Sequence, residues 1–574
     1  MSASSKKKLR KEQGTEKLTQ KQLAAQKEAY TTRLYTIAFT AVLVVLLAIA
    51  VFVGISQTIK TAGYHEKRTT AVQIGDHSIS NAELNYFYID AINSFYSNYG
   101  GYASMLGLDT SLPLDQQIVD EDTGRTWADD FLDTAKENAR SVYALSDAAA
   151  AAGFTLPEEQ AAQIDSSLST LESYAKLYGY SNGQAYLKAM YGNGATTESY
   201  RAYSERSALA SAYNSHYTDS LTYDDAALRE KEAENPAAYS SYSYNYYYLP
   251  ASKFLAGGTT DENGNTTYSD EERAAAEAAV RAAAESLSGS EIDSVEALNA
   301  AIADLAINEG TEASSTESKN VLYGSVNSLF QQWVSDSSRK EGDIAVFEST
   351  GTNTAEDGTT SEVLNGCYVV YYVGSTDNNF PMVNVRHILI QPTHAADEAE
   401  DAHADGETYS DEEKAAAKQS AEDILAQWKS GEATEDSFAA LANENSADGD
   451  GTTGGLYENV YPGQMVAAFN DWCFDSSRKP GDTGIVETTY GYHVMYFVGN
   501  TQQTYRDYLI ESDLRTADTD EWYNGLLDTV TVTDGNTDYI RKDLVLGSAS
   551  LFPNKTPSRG NAKHGRVFLC DLSE

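Results

Sequence analysis

Residues able to do chemistry are scarce in this chain: of 574 residues, eight are histidine and three are cysteine. The sequence holds no Gly-rich phosphate loop ending in Lys-Ser/Thr, no Gly-x-Ser-x-Gly turn and no His-Glu-x-x-His helix. Cys367, Cys473 and Cys570 are too scattered for a disulfide framework or a thiolate zinc site. Cys473, beside Trp472, has no neighbouring base and reads as a buried apolar thiol. What remains is an ordered set of short pieces: Val385-Arg-His-Ile-Leu389, Gly454-Gly-Leu456, Gly463-Gln-Met465 with Phe469 four residues on, and Tyr490-Gly-Tyr-His-Val494. Alone, a histidine opening a strand is structural, and Met465 with Phe469 is ordinary core. Two histidines, His387 and His493, at matched ends of a two-strand pattern, with Met and Phe at i, i+4 spacing between them, read together as a site.

The complete ordered set resembles the parvulin-type (PpiC) peptidyl-prolyl cis/trans isomerases. The resemblance implies that His387 and His493 are paired histidines at the floor of a pocket. Asp448, in Ser446-Ala-Asp448, stands where the family holds Asp or Cys, and Thr488 matches a hydroxyl residue that hydrogen-bonds within the histidine network. Leu456, Met465 and Phe469 are then the lining of a slot for the proline ring. One departure stands out: the family's Gly-Gly-Asp-Leu-Gly is replaced here by Gly454-Gly-Leu-Tyr-Glu458.

The physical demand of that reaction is modest. Amide resonance sets a barrier of about 18–20 kcal/mol, and a thousandfold acceleration needs only about 4 kcal/mol of selective stabilisation. Neither a nucleophile nor a metal is required, and no cofactor is expected. An apolar slot that strips water from the amide favours the twisted state, and polar groups beneath it stabilise the redistributed charge.

The elements that must position these residues are repeated. Thr267-Tyr-Ser-Asp-Glu-Glu-Arg-Ala-Ala-Ala276 returns from Thr408 to Ala417, an offset of 141, and Trp333-x-x-Asp-Ser-Ser-Arg-Lys-x-Gly-Asp343 returns from Trp472 to Asp482, an offset of 139. Tyr372-Val-Gly374 returns as Phe497-Val-Gly499. Residues 236–378 and 379–500 are therefore two copies of one domain, each read as β-α-α-loop-α-β. Ser269 with Glu272, and Ser410 with Glu413, form capping boxes at the main helix of each copy, with Gly289 and Gly431 as helix stops. Aligning Pro250 with Pro392 puts Asn245 where His387 stands, and Tyr368 falls at His493, so the first copy keeps the scaffold and lacks the site. Tyr242, Tyr244, Tyr246 and Tyr248 alternate, which places four phenols on one face of a strand, as core cover or as a peptide-binding wall.

The remaining chain is organised by charge and hydropathy. The 85 acidic residues against 41 basic ones give a net charge of −44, which makes general nucleic-acid binding improbable. Residues 1–33 run against this trend, with nine Lys/Arg and three Glu, and form a basic, cytoplasmic tail. Tyr35–Ile55 has no charge and is long enough to span a bilayer, so residues 34–56 are expected as a signal anchor with the bulk of the chain outside. Ala48-Ile49-Ala50 fits the rival pattern of a cleaved signal, but apolar residues continue beyond it. Residues 70–235 open on a hairpin turning at Gly75-Asp76 and continue as helices; they resemble, more weakly, the N-terminal domain of PrsA/SurA-type foldases. Residues 501–546 are expected to complete that domain, and 547–574 to form a loose tail. The stretch His394–Asp411, with two histidines and many carboxylates, is a solvated acidic loop before it is a weak cation site.

The fold class expected is α+β: a single transmembrane helix, a mostly helical PrsA/SurA-like chaperone domain, and two tandem parvulin-like domains, the first degenerate. The expected function is a membrane-anchored isomerase and chaperone in a bacterial cell, with unfolded secreted polypeptides containing X–Pro bonds as partners. A holdase with two inactive repeats and a surface adhesion or assembly protein are the competing readings.

Overall fold

The computed structural model describes residues 20–260, 264, 266–289, 292–354, 360–393, 409–449 and 451–546. The start of the basic tail, most of the acidic stretch from His394 and the tail 547–574 lie outside these residues. The chain divides into two compact units, Met1–Leu221 with Asp518–Glu574 and Thr222–Ala517.

In the first unit a helix covers Gln20–Thr61, of which Phe39–Thr61 is long and apolar enough to cross a membrane by length and composition. The helix continues past Ile55 because nothing interrupts it before Gly63, which takes a left-handed φ of 63°. A hairpin of Thr70–Ile74 and His77–Ser80 turns at Gly75-Asp76, and Val532–Asp534 adds a third strand against Thr70–Ile74. Helices Asn81–Tyr99 and Trp127–Ala152 supply the core, in which Leu84, Tyr86, Tyr88, Phe131 and Ala135 are buried. Thr126 and Asp129 close a capping box at the start of the second of these.

The second unit contains two four-stranded antiparallel sheets with the same plan. The first uses β1 (Ser241–Pro250), β2 (Thr316–Leu322), β3 (Ile344–Thr354) and β4 (Thr360–Thr376), in the order β2-β1-β4-β3. The second uses β5 (Pro381–Ile390), β6 (Leu456–Val460), β7 (Thr483–Thr488) and β8 (Gly491–Thr504), in the order β6-β5-β8-β7. Between β5 and β6 run α1 (Asp411–Ser430) and α2 (Glu435–Asn445), and between β6 and β7 lies α3 (Ala467–Cys473). The plan per copy is β-α-α-β-α-β-β, two strands richer than the sequence pattern suggested. The missed strands β6 and β7 are short edges reading Leu-Tyr-Glu-Asn-Val and Thr-Gly-Ile-Val-Glu-Thr, too polar for alternation to announce them. Ser410 and Glu413 form the capping box that opens α1, and Ser269 and Glu272 do the same at Asp270–Ser286.

Each sheet is covered on both faces. In the second, Ile388 and Val494 pack with Trp428 and Phe438 of the helices α1 and α2. The opposite face carries Val385, Met495 and Phe497, covered by Phe469 and Cys473 of α3.

The unit boundaries differ from those read in the sequence. Helix Asp225–Glu234 belongs to the second unit: Leu228 is buried with Tyr239 and Ile510. The buried Arg506 guanidinium donates to Glu232 Oε1 at 2.5 Å and to the carbonyls of Pro236 (2.8 Å) and Asp377 (3.0 Å). The later boundary falls inside helix Tyr505–Asp528 instead of at residue 500.

Candidate active site

β5 and β8 pair so that His387 stands opposite Met495 and His493 opposite Leu389. The two histidines are therefore diagonal neighbours on one face of adjacent strands, within reach of each other. Their Nδ1 atoms are 3.1 Å apart, and the two residues are 2% and 5% exposed. His387 Nε2 lies 3.1 Å from Asp448 Oδ2, and His493 Nε2 lies 2.9 Å from Thr488 Oγ1. Phe469 stands edge-on to both imidazoles, at 5.4 Å from His387 and 5.3 Å from His493. Met465 is half-buried in the same cluster.

The hydrogen-bond pattern assigns the protons. A carboxylate only accepts, so His387 Nε2–H donates to Asp448, which leaves His387 Nδ1 as an acceptor in the neutral ring. His493 Nδ1–H then donates to it, and Thr488 Oγ1–H donates to His493 Nε2. The line Thr488→His493→His387→Asp448 is satisfied throughout with both imidazoles neutral. Electrostatics agree. Burial holds His387 below the ordinary imidazole value against the upward pull of Asp448. Burial, reinforced by the neighbouring His387, lowers His493 to about 4.

The loop carrying Asp448 is tied to β5. Leu389 N–H donates to Ser446 Oγ at 3.1 Å, Ala447 N–H to Leu389 O at 2.9 Å, and Asp448 N–H to Ser446 Oγ at 3.2 Å. Gly455 accepts from His387 N–H at 2.9 Å, at a left-handed φ of 67°. A Cβ there would lie 2.1 Å from His387 O, so the second glycine of the pair is required by close approach.

Leu456 departs from its expected place. It pairs with Arg386, whose side chain reaches Glu435 of α2, and so shares the helix-covered face instead of the histidine face. Its neighbour Tyr457 pairs with Val385 and takes the slot-side position. The Tyr457 ring lies 4.7 Å from His387, and its hydroxyl donates to Asp448 Oδ2 at 2.7 Å. A gap-free superposition of Gly454-Gly-Leu-Tyr-Glu458 on Gly-Gly-Asp-Leu-Gly puts Tyr457 at the family's leucine, which is the signal that finds it. His387, His493, Asp448, Thr488, Met465 and Phe469 are brought together; Leu456 is not.

Residues 368–500 match the family described as the PPIC-type PPIase domain. This segment is a parvulin-type domain. Over 124 residues the chain is 32% identical to "Foldase protein PrsA 1" of Listeria innocua and, equally, to that of Listeria monocytogenes. That alignment covers 21% of this chain, and the chain spans about a third (32%) of the length of these curated relatives. Among solved structures it is similar to the peptidylprolyl isomerase PrsA of Bacillus anthracis, at 20% identity and a TM-score of 0.16, over 27% of this chain and 59% of that one. The match to the parvulin-type domain begins at Tyr368, inside β4, ahead of the boundary at 379 read from the repeats.

The first sheet can be laid on the parvulin site strand by strand. Tyr246 pairs with Val370 and Tyr248 with Tyr368, the counterparts of His387 with Met495 and Leu389 with His493. The residue at the His387 position is thus Tyr246, whereas Asn245 points to the other face and donates to Ser315 Oγ. The proline alignment misplaced it by one residue because β1 has one residue fewer before Pro250, and a slip of one turns a side chain over. Tyr368 does occupy the His493 position. The two phenol rings are 6.0 Å apart with Phe330 at 6.5 and 5.8 Å from them, in the place of Phe469.

Proposed function

We propose that the parvulin-type domain interconverts cis and trans X–Pro bonds in unfolded or partly folded polypeptides, and that it does so on a membrane-anchored foldase. The observation that carries the reading is the pair of buried neutral imidazoles 3.1 Å apart beneath Phe469. Such a site supplies no nucleophile. Phe469, Met465 and the aromatic ring of Tyr457 offer a partner for a pyrrolidine ring and lower the local polarity, which penalises the dipolar, resonant amide more than the twisted one. The neutral histidine line supplies oriented dipoles for the charge that shifts as resonance is lost.

Anchoring is supported by the apolar helix segment Phe39–Thr61 and by the basic excess that precedes it. The tandem parvulin reading, with a non-catalytic first copy, is supported by the shared strand order and by Tyr246 and Tyr368 at the histidine positions. The test is exchange NMR on a proline-containing peptide with the full chain. Acceleration that is lost in His493→Ala is expected; exchange no faster than buffer removes the enzymatic reading.

A client-holding reading draws on the first unit, where Tyr102 (63%), Met105 (82%) and Leu106 (49%) are exposed in one short segment. Suppression of aggregation of an unfolded protein that persists in the His493→Ala chain, which itself shows no proline exchange, separates holding from isomerisation.

A further inference from the structure

Tyr457 stands where the motif that announces the site has an apolar leucine, yet it makes the shortest hydrogen bond to the carboxylate there. We propose that Tyr457 is a positioning residue: by donating its hydroxyl to Asp448 Oδ2 it fixes the orientation of that carboxylate, and through it the proton arrangement of His387 and His493. The inference rests on the isomerase reading only for its activity readout.

The geometry separates what the backbone already fixes from what is left to the side chains. Three hydrogen bonds through Ser446 and Leu389 hold the backbone that leads into Asp448. The Asp448 side chain is 38% exposed, so rotation about its own bonds would turn the carboxylate towards water. Among the described residues, two side chains donate to it, His387 at 3.1 Å and Tyr457 at 2.7 Å. The Tyr457 ring is itself held against His387 and, at 6.5 Å, near Phe469. Its backbone lies in the short edge strand β6, whose register with β5 is set by Val460, Tyr457 and Leu456. The hydroxyl therefore arrives from a fixed direction and locks the remaining freedom of Asp448.

His387 Nε2 keeps its proton because a carboxylate oxygen faces it. If the carboxylate turns away, both tautomers of His387 become available. In the second tautomer His387 Nδ1–H points at His493 Nδ1, so His493 must reverse as well. The hydroxyl thus controls the direction of the whole line from a position that an apolar leucine would leave silent. The titratable groups facing His387 are Asp448 from its loop, Tyr457 from β6 and His493 from β8. Cys473 of α3, in the same cluster, is a neutral thiol raised by burial to about 12. Removing the Tyr457 hydroxyl frees the carboxylate to turn towards water, and the upward pull it exerts on His387 goes with it, so the His387 titration moves further down.

The experiment is nitrogen-15 NMR of histidine-labelled full-length protein, wild type against Tyr457→Phe and Tyr457→Leu, with proline-peptide exchange measured on the same samples. In the wild type the His387 proton is expected on Nε2 at neutral pH. Tyr457→Phe keeps the ring and removes the hydroxyl. It is expected to mix the His387 tautomers, lower the His387 midpoint, and slow exchange about threefold to tenfold, the rate equivalent of one ordinary hydrogen bond. Tyr457→Leu should match it. Unchanged tautomers and midpoint in Tyr457→Phe, with changes confined to Tyr457→Leu, would make Tyr457 a wall of the slot and overturn the proposal. Should the wild type show no exchange while the His387 signals respond as described, the isomerase reading fails and the positioning role stands.

Discussion

Acidification should destabilise the parvulin-type domain through His493, by an amount the structure sets. In the fold, burial and the adjacent His387 hold its imidazole down to about 4, against an ordinary value of 6.5. The folded state therefore refuses a proton that the unfolded chain accepts. The sign follows: the stabilisation is whole above the unfolded value and drains as pH falls from about 6.5 towards 4. For those two values the linkage relation gives a loss of about 2 kcal/mol between pH 7.5 and pH 5. His387, lowered in the same direction, adds to it. The perturbation that isolates the effect is His493→Gln, which keeps a polar group at this buried site and does not titrate. Urea unfolding of the full chain at both pH values, read by a thiol pulse at the buried Cys473, reports this domain specifically. The wild type should lose about 2 kcal/mol more than the variant on acidification. Parallel losses in the two proteins, within about 0.5 kcal/mol, would refute the claim that this imidazole is buried neutral.

Two further substitutions probe the supports of the site. Gly455→Ala forces a left-handed alanine whose Cβ would sit 2.1 Å from His387 O; it should cost about 2–4 kcal/mol and weaken the β5–β6 contact, measured as a lower urea midpoint and reduced amide protection at His387. Asn378→Ala removes buried hydrogen bonds to Tyr239 O and Ser241 Oγ, both 3.0 Å, between the two sheets. It should cost about 1–3 kcal/mol in the same denaturation assay.

What could be read along the chain was local or repeated. The capping boxes at Ser269 and Ser410 specify helix starts through residues three apart, and they appear where the spacing placed them. The duplicated Trp-x-x-Asp-Ser-Ser-Arg-Lys segment repeats a local contact as well: Arg339 lies over Trp333 at 5.1 Å and Arg478 over Trp472 at 4.1 Å. His387, Asp448, Thr488 and His493 were nameable because each sits in a short motif of its own. Leu456 was misplaced, and Asn245 with it, because a motif gives order but not face. In a strand, the face changes with every residue, and bulges such as the one between Val383 and Val385 shift the count.

The amino-acid sequence by itself determined the parts: an apolar helix, two segments that share repeated motifs, and a histidine pair carried by the second of them. Each of these depends on neighbours within a turn or a strand, or on similarity between segments. Tertiary structure alone decided which atoms meet. It brought Val532–Asp534 beside Thr70–Ile74, turned Tyr457 instead of Leu456 towards His387, and aligned four side chains into one line of protons. Those outcomes depend on strand register and on burial, which are properties of pairs of segments far apart in the chain, and no single stretch of residues encodes them.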